Sequence, residues 1–236
     1  MKKAKRLLLW ILSLVVVLVI AAVGYLHFAA YQPSSAAKDA AQSATITNTA
    51  TTFKAKHSQM TIIFYPGALV TPDSYSIWAK EVAKHGYTVK IAHFPLNMAF
   101  FKINAAKSLA GNQDYVIGGH SLGGAMAARY AHHHQTKHLK GIFFLGAYAD
   151  EKGRLDKTNL SVLSITAARD GVLNWTKYRQ GKHYLPKKTS YQTIKGGNHG
   201  NFGSYGHQKG DHSATISNHQ QQKIIAQLLV KWLRTL

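Results

Sequence analysis

One stretch near the start of the chain limits its possible structure more than any other. Leu7 to Ala30 contains no charged residue in 24 positions. As an α-helix rising 1.5 Å per residue, this stretch would be about 36 Å long, enough to cross a hydrocarbon core of roughly 30 Å. The sequence therefore predicts a transmembrane helix over residues 7–30.

The residues before this stretch predict its orientation. Residues 1–6 carry the positive charges of Lys2, Lys3, Lys5 and Arg6. Positive charge beside a span stays in the cytoplasm, so we expect everything after Ala30 to lie outside the cell membrane. A cleaved signal peptide is the alternative, and it would leave a secreted protein. Signal peptides usually have an apolar region of about 7–15 residues, so the length of this one favours an uncleaved anchor.

Composition narrows the chemistry and the partners. The chain has 29 Lys and Arg against 9 Asp and Glu, a net charge of +20, and no cysteine. The lack of cysteine excludes a disulfide scaffold, a thiolate metal site and a cysteine nucleophile. Excess positive charge attracts polyanions. For an exported domain without a nucleic-acid-binding motif, we expect the polyanion to be anionic lipid or a cell-wall polymer and not nucleic acid.

The rest of the chain predicts one linker and one domain. Residues 31–43 are small and polar, which is typical of a linker. Residues 44–236 form the expected domain, in which short apolar strands alternate with amphipathic helices from Thr61 onward. This alternation predicts an α/β fold with a mainly parallel sheet covered by helices on both faces.

A candidate nucleophile lies where a predicted strand meets a predicted helix. Residues 119–123 read Gly-His-Ser-Leu-Gly, after the apolar strand Tyr115 to Ile117 and before a helix rich in alanine. This strand–turn–helix setting is the one that a G-x-S-x-G nucleophile elbow requires. Ser121 is therefore the predicted nucleophile, and the N–H of Leu122 points towards the same place as the first turn of the helix.

A serine hydroxyl needs a base, and the base needs an acid that orients it. His199 follows a late strand in a glycine-rich loop, and Asp170 follows the strand before that one. The chain order Ser121, Asp170, His199 is the order of the α/β-hydrolase fold. The alternatives are Asp150 for the acid and His207 or His212 for the base. We expect His120, inside the elbow, to orient the turn.

These motifs together resemble the α/β-hydrolase superfamily over residues 61–236. The chain is most similar to compact bacterial esterases and dienelactone hydrolases, through Tyr-Pro-Gly at 65–67, Gly-Gly-His-Ser-Leu-Gly-Gly at 118–124 and Gly-Gly-Asn-His at 196–199. The resemblance implies a second oxyanion donor in residues 64–68, which we assign to the N–H of Ala68, with Leu122 as the first. Many relatives have glycine where this chain has Ala68.

Three other features concern metal binding, a cap domain and the acyl pocket. His132, His133 and His134 point about 100° apart on a helix and cannot converge on one ion, so we predict no metal and no cofactor. The connection from Tyr148 to Ser161 is short and predicts no large cap domain. The apolar segment from Phe94 to Phe101 is either a packed connection or a wall of an acyl pocket.

The sequence thus predicts a membrane-anchored serine hydrolase that faces outward and acts on small-molecule carboxylic esters through an acyl-enzyme. Two other functions fit the same residues: a catalytically silent, basic envelope-binding protein on a hydrolase scaffold, and an acyltransferase that uses the same triad. The sequence does not fix the acyl length or the leaving group.

Overall fold

The computed structural model describes residues 2–236 and divides the chain into a first unit that ends at Ala30 and a second unit, Tyr31–Leu236. The first unit contains the helix α1, Lys2–Phe28, in which the large apolar side chains from Leu7 to Ile20 are exposed. Within the described residues, Lys5–Phe28 is the one segment long and apolar enough to cross a membrane. A signal sequence near the N-terminus can also contain a helix this long and apolar.

The second unit is built on one eight-stranded sheet in the order β1-β2-β4-β3-β5-β6-β7-β8. The pairs β1–β2 and β2–β4 are antiparallel, and the five pairs that join β4, β3, β5, β6, β7 and β8 are parallel. The strands are β1 Thr45–Ile46, β2 Ala50–Phe53, β3 Met60–Tyr65, β4 Tyr87–Ala92, β5 Tyr115–His120, β6 Leu139–Leu145, β7 Ser161–Ala167 and β8 Ser190–Ile194. The prediction of a mainly parallel α/β sheet is confirmed.

Helices cover both faces of this sheet, which is why its central strands are apolar in consecutive positions. In β3, Ile62 and Phe64 pack with the helices on one face, and Ile63 and Tyr65 with those on the other. α3 and α7 contribute to the first core, and α4 and α5 to the second. The helices are α2 Ser35–Ala41, α3 Ser76–Lys84, α4 Ala105–Ala110, α5 Leu122–His133, α6 Trp175–Gly181 and α7 Asn218–Leu233.

Four loops that matter for function leave the same edge of the sheet. β3, β5, β7 and β8 run parallel, so the loops that follow them meet at their carboxyl ends. Ala68, Ser121, Asp170 and His199 lie in these four loops. Between β6 and β7, the described chain forms only one 3₁₀ turn, Glu151–Gly153, so no cap domain is inserted between these two strands.

The segment for which we predicted a linker has a definite structure. Within residues 31–43, α2 packs against α3 and buries Ala37 and Ala41. Ser34 is bonded to the loop after β8, through Ser34 N–H to the Ser204 carbonyl at 2.7 Å and between the two hydroxyls at 2.8 Å. Small residues suit this segment because α2 lies close to its neighbour.

These contacts change where the domain can be cut. We expect a protein that begins at Tyr31 to fold. In a protein that begins at Ser43, the free energy of unfolding should be about 3 kcal/mol lower, because two buried methyl groups and several hydrogen bonds are lost. For a unit of this size, that loss lowers the Tm by roughly 6–12 °C. Thermal unfolding of the two truncated proteins measures the difference, and equal Tm values would contradict a structural role for residues 31–42.

Candidate active site

Ser121 lies at the sharp turn between β5 and α5. Its backbone has φ 52° and ψ −124°, and its N–H donates to the Leu145 carbonyl at 3.1 Å. A left-handed conformation costs a non-glycine residue about 1–2 kcal/mol, so the surrounding structure must hold the turn in place. A Cβ at Gly123 would overlap the backbone of Tyr65 and Pro66. Glycine at this position therefore allows α5 to begin close against the end of β3.

His199 and Asp170 form a buried pair. His199 Nδ1 lies 2.8 Å from Asp170 Oδ2, and the two residues are 1% and 3% exposed. The other carboxylate oxygen of Asp170 accepts hydrogen bonds from the N–H of Val172 at 2.9 Å and of Leu173 at 2.7 Å. Because Nδ1–H donates to the carboxylate, the neutral imidazole has its lone pair on Nε2, which is the arrangement a general base needs.

The Nε2 atom of His199 is buried and makes no hydrogen bond within the described chain. The hydrogen bond from Ser121 Oγ to this nitrogen is therefore not formed here. Catalytic hydrogen bonds of this kind are often long without substrate and tighten in the complex.

Asp211 braces the two loops that carry this pair. Its carboxylate accepts from the N–H of Gly200 at 2.8 Å and from the N–H of Gly171 at 3.0 Å. Gly200 follows His199 and Gly171 follows Asp170, so one buried side chain joins both loops. We did not predict this residue, because nothing in its local sequence distinguishes it from a surface aspartate.

The alternatives for acid and base have other partners or face solvent. Asp150 forms an ion pair with Arg129, whose Nε lies 3.1 Å from Asp150 Oδ2, and it also accepts from the N–H of Gly153. His207 and His212 are exposed. The structure therefore pairs Asp170 with His199, and within the described chain neither Asp150, His207 nor His212 is hydrogen-bonded to that pair.

The two candidate oxyanion donors are free to bind a ligand. Neither the Ala68 N–H nor the Leu122 N–H donates a hydrogen bond to another part of the described chain. The neighbouring Gly67 N–H donates to Tyr75 Oη at 2.9 Å, and Tyr75 Oη lies 2.9 Å from His120 Nδ1. This chain of hydrogen bonds connects the elbow to the loop of Ala68, which agrees with an orienting role for His120.

The environment of His120 predicts a dependence of stability on pH. Burial lowers the pKa of His120 well below its usual range, and the nearby His199 lowers it further. The unfolded chain takes up a proton at this position below about pH 6.5 and the folded chain does not, so stability falls as the pH drops. We expect His120 to contribute up to about 1.4 kcal/mol of this loss per pH unit.

The measurement is thermal unfolding of the full chain between neutral and mildly acidic pH, compared with His120→Gln. Glutamine keeps an acceptor for Tyr75 and does not titrate. The variant should lose less stability on acidification than the natural protein does. An identical pH dependence in the two proteins would mean that His120 is protonated in the folded state.

A cavity of about 370 Å³ lies beside the candidate nucleophile. Its lining residues include Ser121, the apolar Leu122 and Met126, and the charged Arg129, Asp150 and Lys177. Phe100 and Phe101 are not among its lining residues, so they do not form the wall of this cavity. Phe94, in contrast, is buried against Tyr65 with ring centroids 4.8 Å apart.

The histidines near the end of α5 have separate partners. His132 Nδ1 lies 2.8 Å from the Arg154 carbonyl, His134 stacks on Tyr130, and His138 Nδ1 lies 2.9 Å from Asp114. No group of three His, Asp or Glu side chains in residues 2–236 is arranged to hold a metal ion.

Comparison with known proteins agrees with this architecture. The sequence pattern of the family described as "Alpha/beta hydrolase family" matches residues 61–223, well over half of the chain. The protein belongs to the α/β-hydrolase family. The matched range includes β3 to β8 and every candidate site residue. A search of the curated proteins finds no match.

Solved structures of the family share the fold at low sequence identity. They include a predicted CIB-like hydrolase from Thermoplasma acidophilum (16% identical, TM-score 0.61, covering 79% of this chain and 92% of that chain). An esterase domain from Rhodothermus marinus is 14% identical with a TM-score of 0.62 and covers 79% and 92%. A dienelactone hydrolase from Anabaena variabilis is 13% identical with a TM-score of 0.59 and covers 79% and 90%. At these identities the likeness is one of fold.

Proposed function

We propose that the protein is a serine hydrolase of carboxylic esters that acts through Ser121, His199 and Asp170. The observation that carries the proposal is the buried 2.8 Å pair of His199 and Asp170 at the same sheet edge as a strained serine and a cavity. A catalytically silent binding protein would have no need for a left-handed serine or for a buried imidazole with an unused nitrogen.

The reaction follows from the roles that these groups can take. Ser121 Oγ attacks the ester carbonyl and gives its proton to His199 Nε2, which returns that proton to the leaving alcohol. Asp170 holds the imidazole by Nδ1 and stabilises its positive charge. The N–H groups of Ala68 and Leu122 bind the oxyanion. Water then repeats the sequence on the acyl-enzyme and releases the acid.

The N-terminal unit indicates where in the cell this activity takes place. The apolar helix α1 and the basic residues before it agree with an uncleaved membrane anchor whose catalytic domain lies outside the cell. Protease added to intact cells should then remove the domain while the anchor stays in the membrane. A domain protected from external protease would contradict this topology.

A series of esters with increasing acyl length tests the reaction and the cavity together. We expect kcat/KM to be highest for short acyl groups, because a longer chain would have to bury methylene groups against the ion pair of Arg129 and Asp150. Analysis of the products should show the free acid. Activity that rises steadily to long acyl chains would contradict the cavity as the acyl site, and no cleavage of any ester would contradict the proposed reaction.

A further inference from the structure

Phe100 and Phe101 form an exposed aromatic pair that the catalytic site does not use. They are 45% and 54% exposed, with ring centroids 4.3 Å apart, on the 3₁₀ turn Ala99–Lys102. The other large exposed apolar side chains described in residues 31–236 are single ones: Ile46, Tyr191 and Leu236. Single exposed apolar residues are ordinary on a soluble surface, whereas two adjacent phenylalanines indicate an interaction.

The backbone beneath this pair is held in a strained shape. Four described residues other than glycine have positive φ: Leu69, Leu96, Asn97 and Ser121. The first three meet in one place, where Leu69 N–H donates to the Asn97 carbonyl at 3.0 Å. Each left-handed residue of this kind costs about 1–2 kcal/mol, and such strain persists where the fold requires a particular loop shape. The segment 94–102, which we call the Phe loop, is therefore fixed with its two phenylalanines outward.

The Phe loop is tied to the residue that follows the anchor. Tyr31 N–H donates to the Leu69 carbonyl at 2.7 Å, and Thr71 N–H donates to the Tyr31 carbonyl at 3.1 Å. The apolar helix ends at Phe28, three residues before Tyr31. Three residues span at most about 10 Å. If a membrane holds the helix, the membrane surface therefore lies near Tyr31 and near Leu69, to which both Tyr31 and the Phe loop are bonded.

The chemistry of the Phe loop fits a lipid surface. Phenylalanine partitions into the boundary between headgroups and acyl chains, and the exposed Lys102 and Lys107 beside it attract anionic headgroups at about 1 kcal/mol each. No acidic residue lies between Glu81 and Asp114 to oppose them. We propose that Phe100 and Phe101 insert into the surface of the anionic bilayer that holds α1. This inference rests on the proposed membrane anchoring.

Docking at this place has a consequence for the site. Ala68, the proposed oxyanion donor, directly precedes Leu69, to which both Tyr31 and Asn97 are bonded. The bilayer would then lie beside the proposed oxyanion loop.

The absence of cysteine allows a direct test on the full chain. Phe101→Cys, labelled with an environment-sensitive fluorophore and reconstituted into vesicles of phosphatidylcholine and phosphatidylglycerol, should be quenched by spin-labelled lipid. Tyr191→Cys, on β8 at the far edge of the sheet, is the matched exposed control. We expect severalfold stronger quenching at position 101 than at 191, and weaker quenching at 101 in phosphatidylcholine alone.

A third label separates this proposal from the anchoring on which it rests. Val17→Cys lies in the middle of α1 and should be quenched strongly wherever the helix spans the bilayer. Quenching at position 17 with none at 101 overturns the docking alone. No quenching at position 17 contradicts the anchoring and the docking together. Equal quenching at 101 and 191 also overturns the docking, because it would mean a surface attraction without insertion of the Phe loop.

Discussion

Ser121→Ala is expected to lower kcat/KM for ester hydrolysis by about 10³- to 10⁶-fold, because the proposed acyl-enzyme forms on the Ser121 hydroxyl. Ser121 is the residue that leaves β5 in the left-handed conformation and lines the cavity. Alanine keeps the Cβ and adopts the same turn at a similar cost, so the Tm should change little. Steady-state kinetics with a short-chain ester measures the effect.

A serine elsewhere gives the matched control. Ser108 is exposed on α4 and bonds only to the Ala105 carbonyl, so Ser108→Ala should leave the rate unchanged. Ser121→Ala would keep more than about a tenth of the natural kcat/KM only if the transition state lost less than about 1.4 kcal/mol of stabilisation. That result would mean that Ser121 is not the nucleophile.

Asp170→Asn should be the second most damaging substitution, with a loss in kcat of about 10⁴-fold. The asparagine carbonyl can still accept from the N–H groups of Val172 and Leu173, which keeps the loop in place. Its amide group then faces His199 Nδ1, which must become an acceptor, so the proton moves to Nε2 and the base is lost. The rate should fall without a matching fall in Tm.

Asp150→Asn is the informative comparison, because Asp150 is the other candidate for the acid. It lies in the cavity wall and pairs with Arg129, so its loss should act mainly on KM and by less than about tenfold. A larger loss of kcat in Asp150→Asn than in Asp170→Asn would mean that the acid comes from the loop after β6.

Much of the fold could be predicted because local pattern and global structure agree. The apolar runs that became β3, β5, β6 and β7 are buried on both faces, and such strands have no competing conformation once helices flank them. Ser121 was recognisable for the same reason: the glycines around it are required by a turn that occurs only between a strand and a helix. The order of the residues then restricted the choice of acid and base.

Other parts of the fold and of the site depend on contacts between residues far apart in the sequence, which a local sequence pattern does not predict. The small and polar residues 34–41 have the composition of a linker, but Ser34 caps α2 by accepting from the Ala37 N–H, and packing against α3 stabilises the helix. Tyr75 looks like one more apolar residue in a helical stripe, yet its hydroxyl joins Gly67 to His120. Asp211 and Arg129 lie far along the chain from the residues that they contact, so tertiary structure alone gives them a role.

The most direct test of the account is to find the residue that a fluorophosphonate modifies. The reagent requires a serine activated by a base, so the natural protein should gain a single adduct, and peptide mass spectrometry should place it on Ser121. Ser121→Ala should gain none, and Asp170→Asn should react far more slowly. An adduct on a different serine, or no adduct in the natural protein, would contradict the proposal that Ser121, His199 and Asp170 form a catalytic triad.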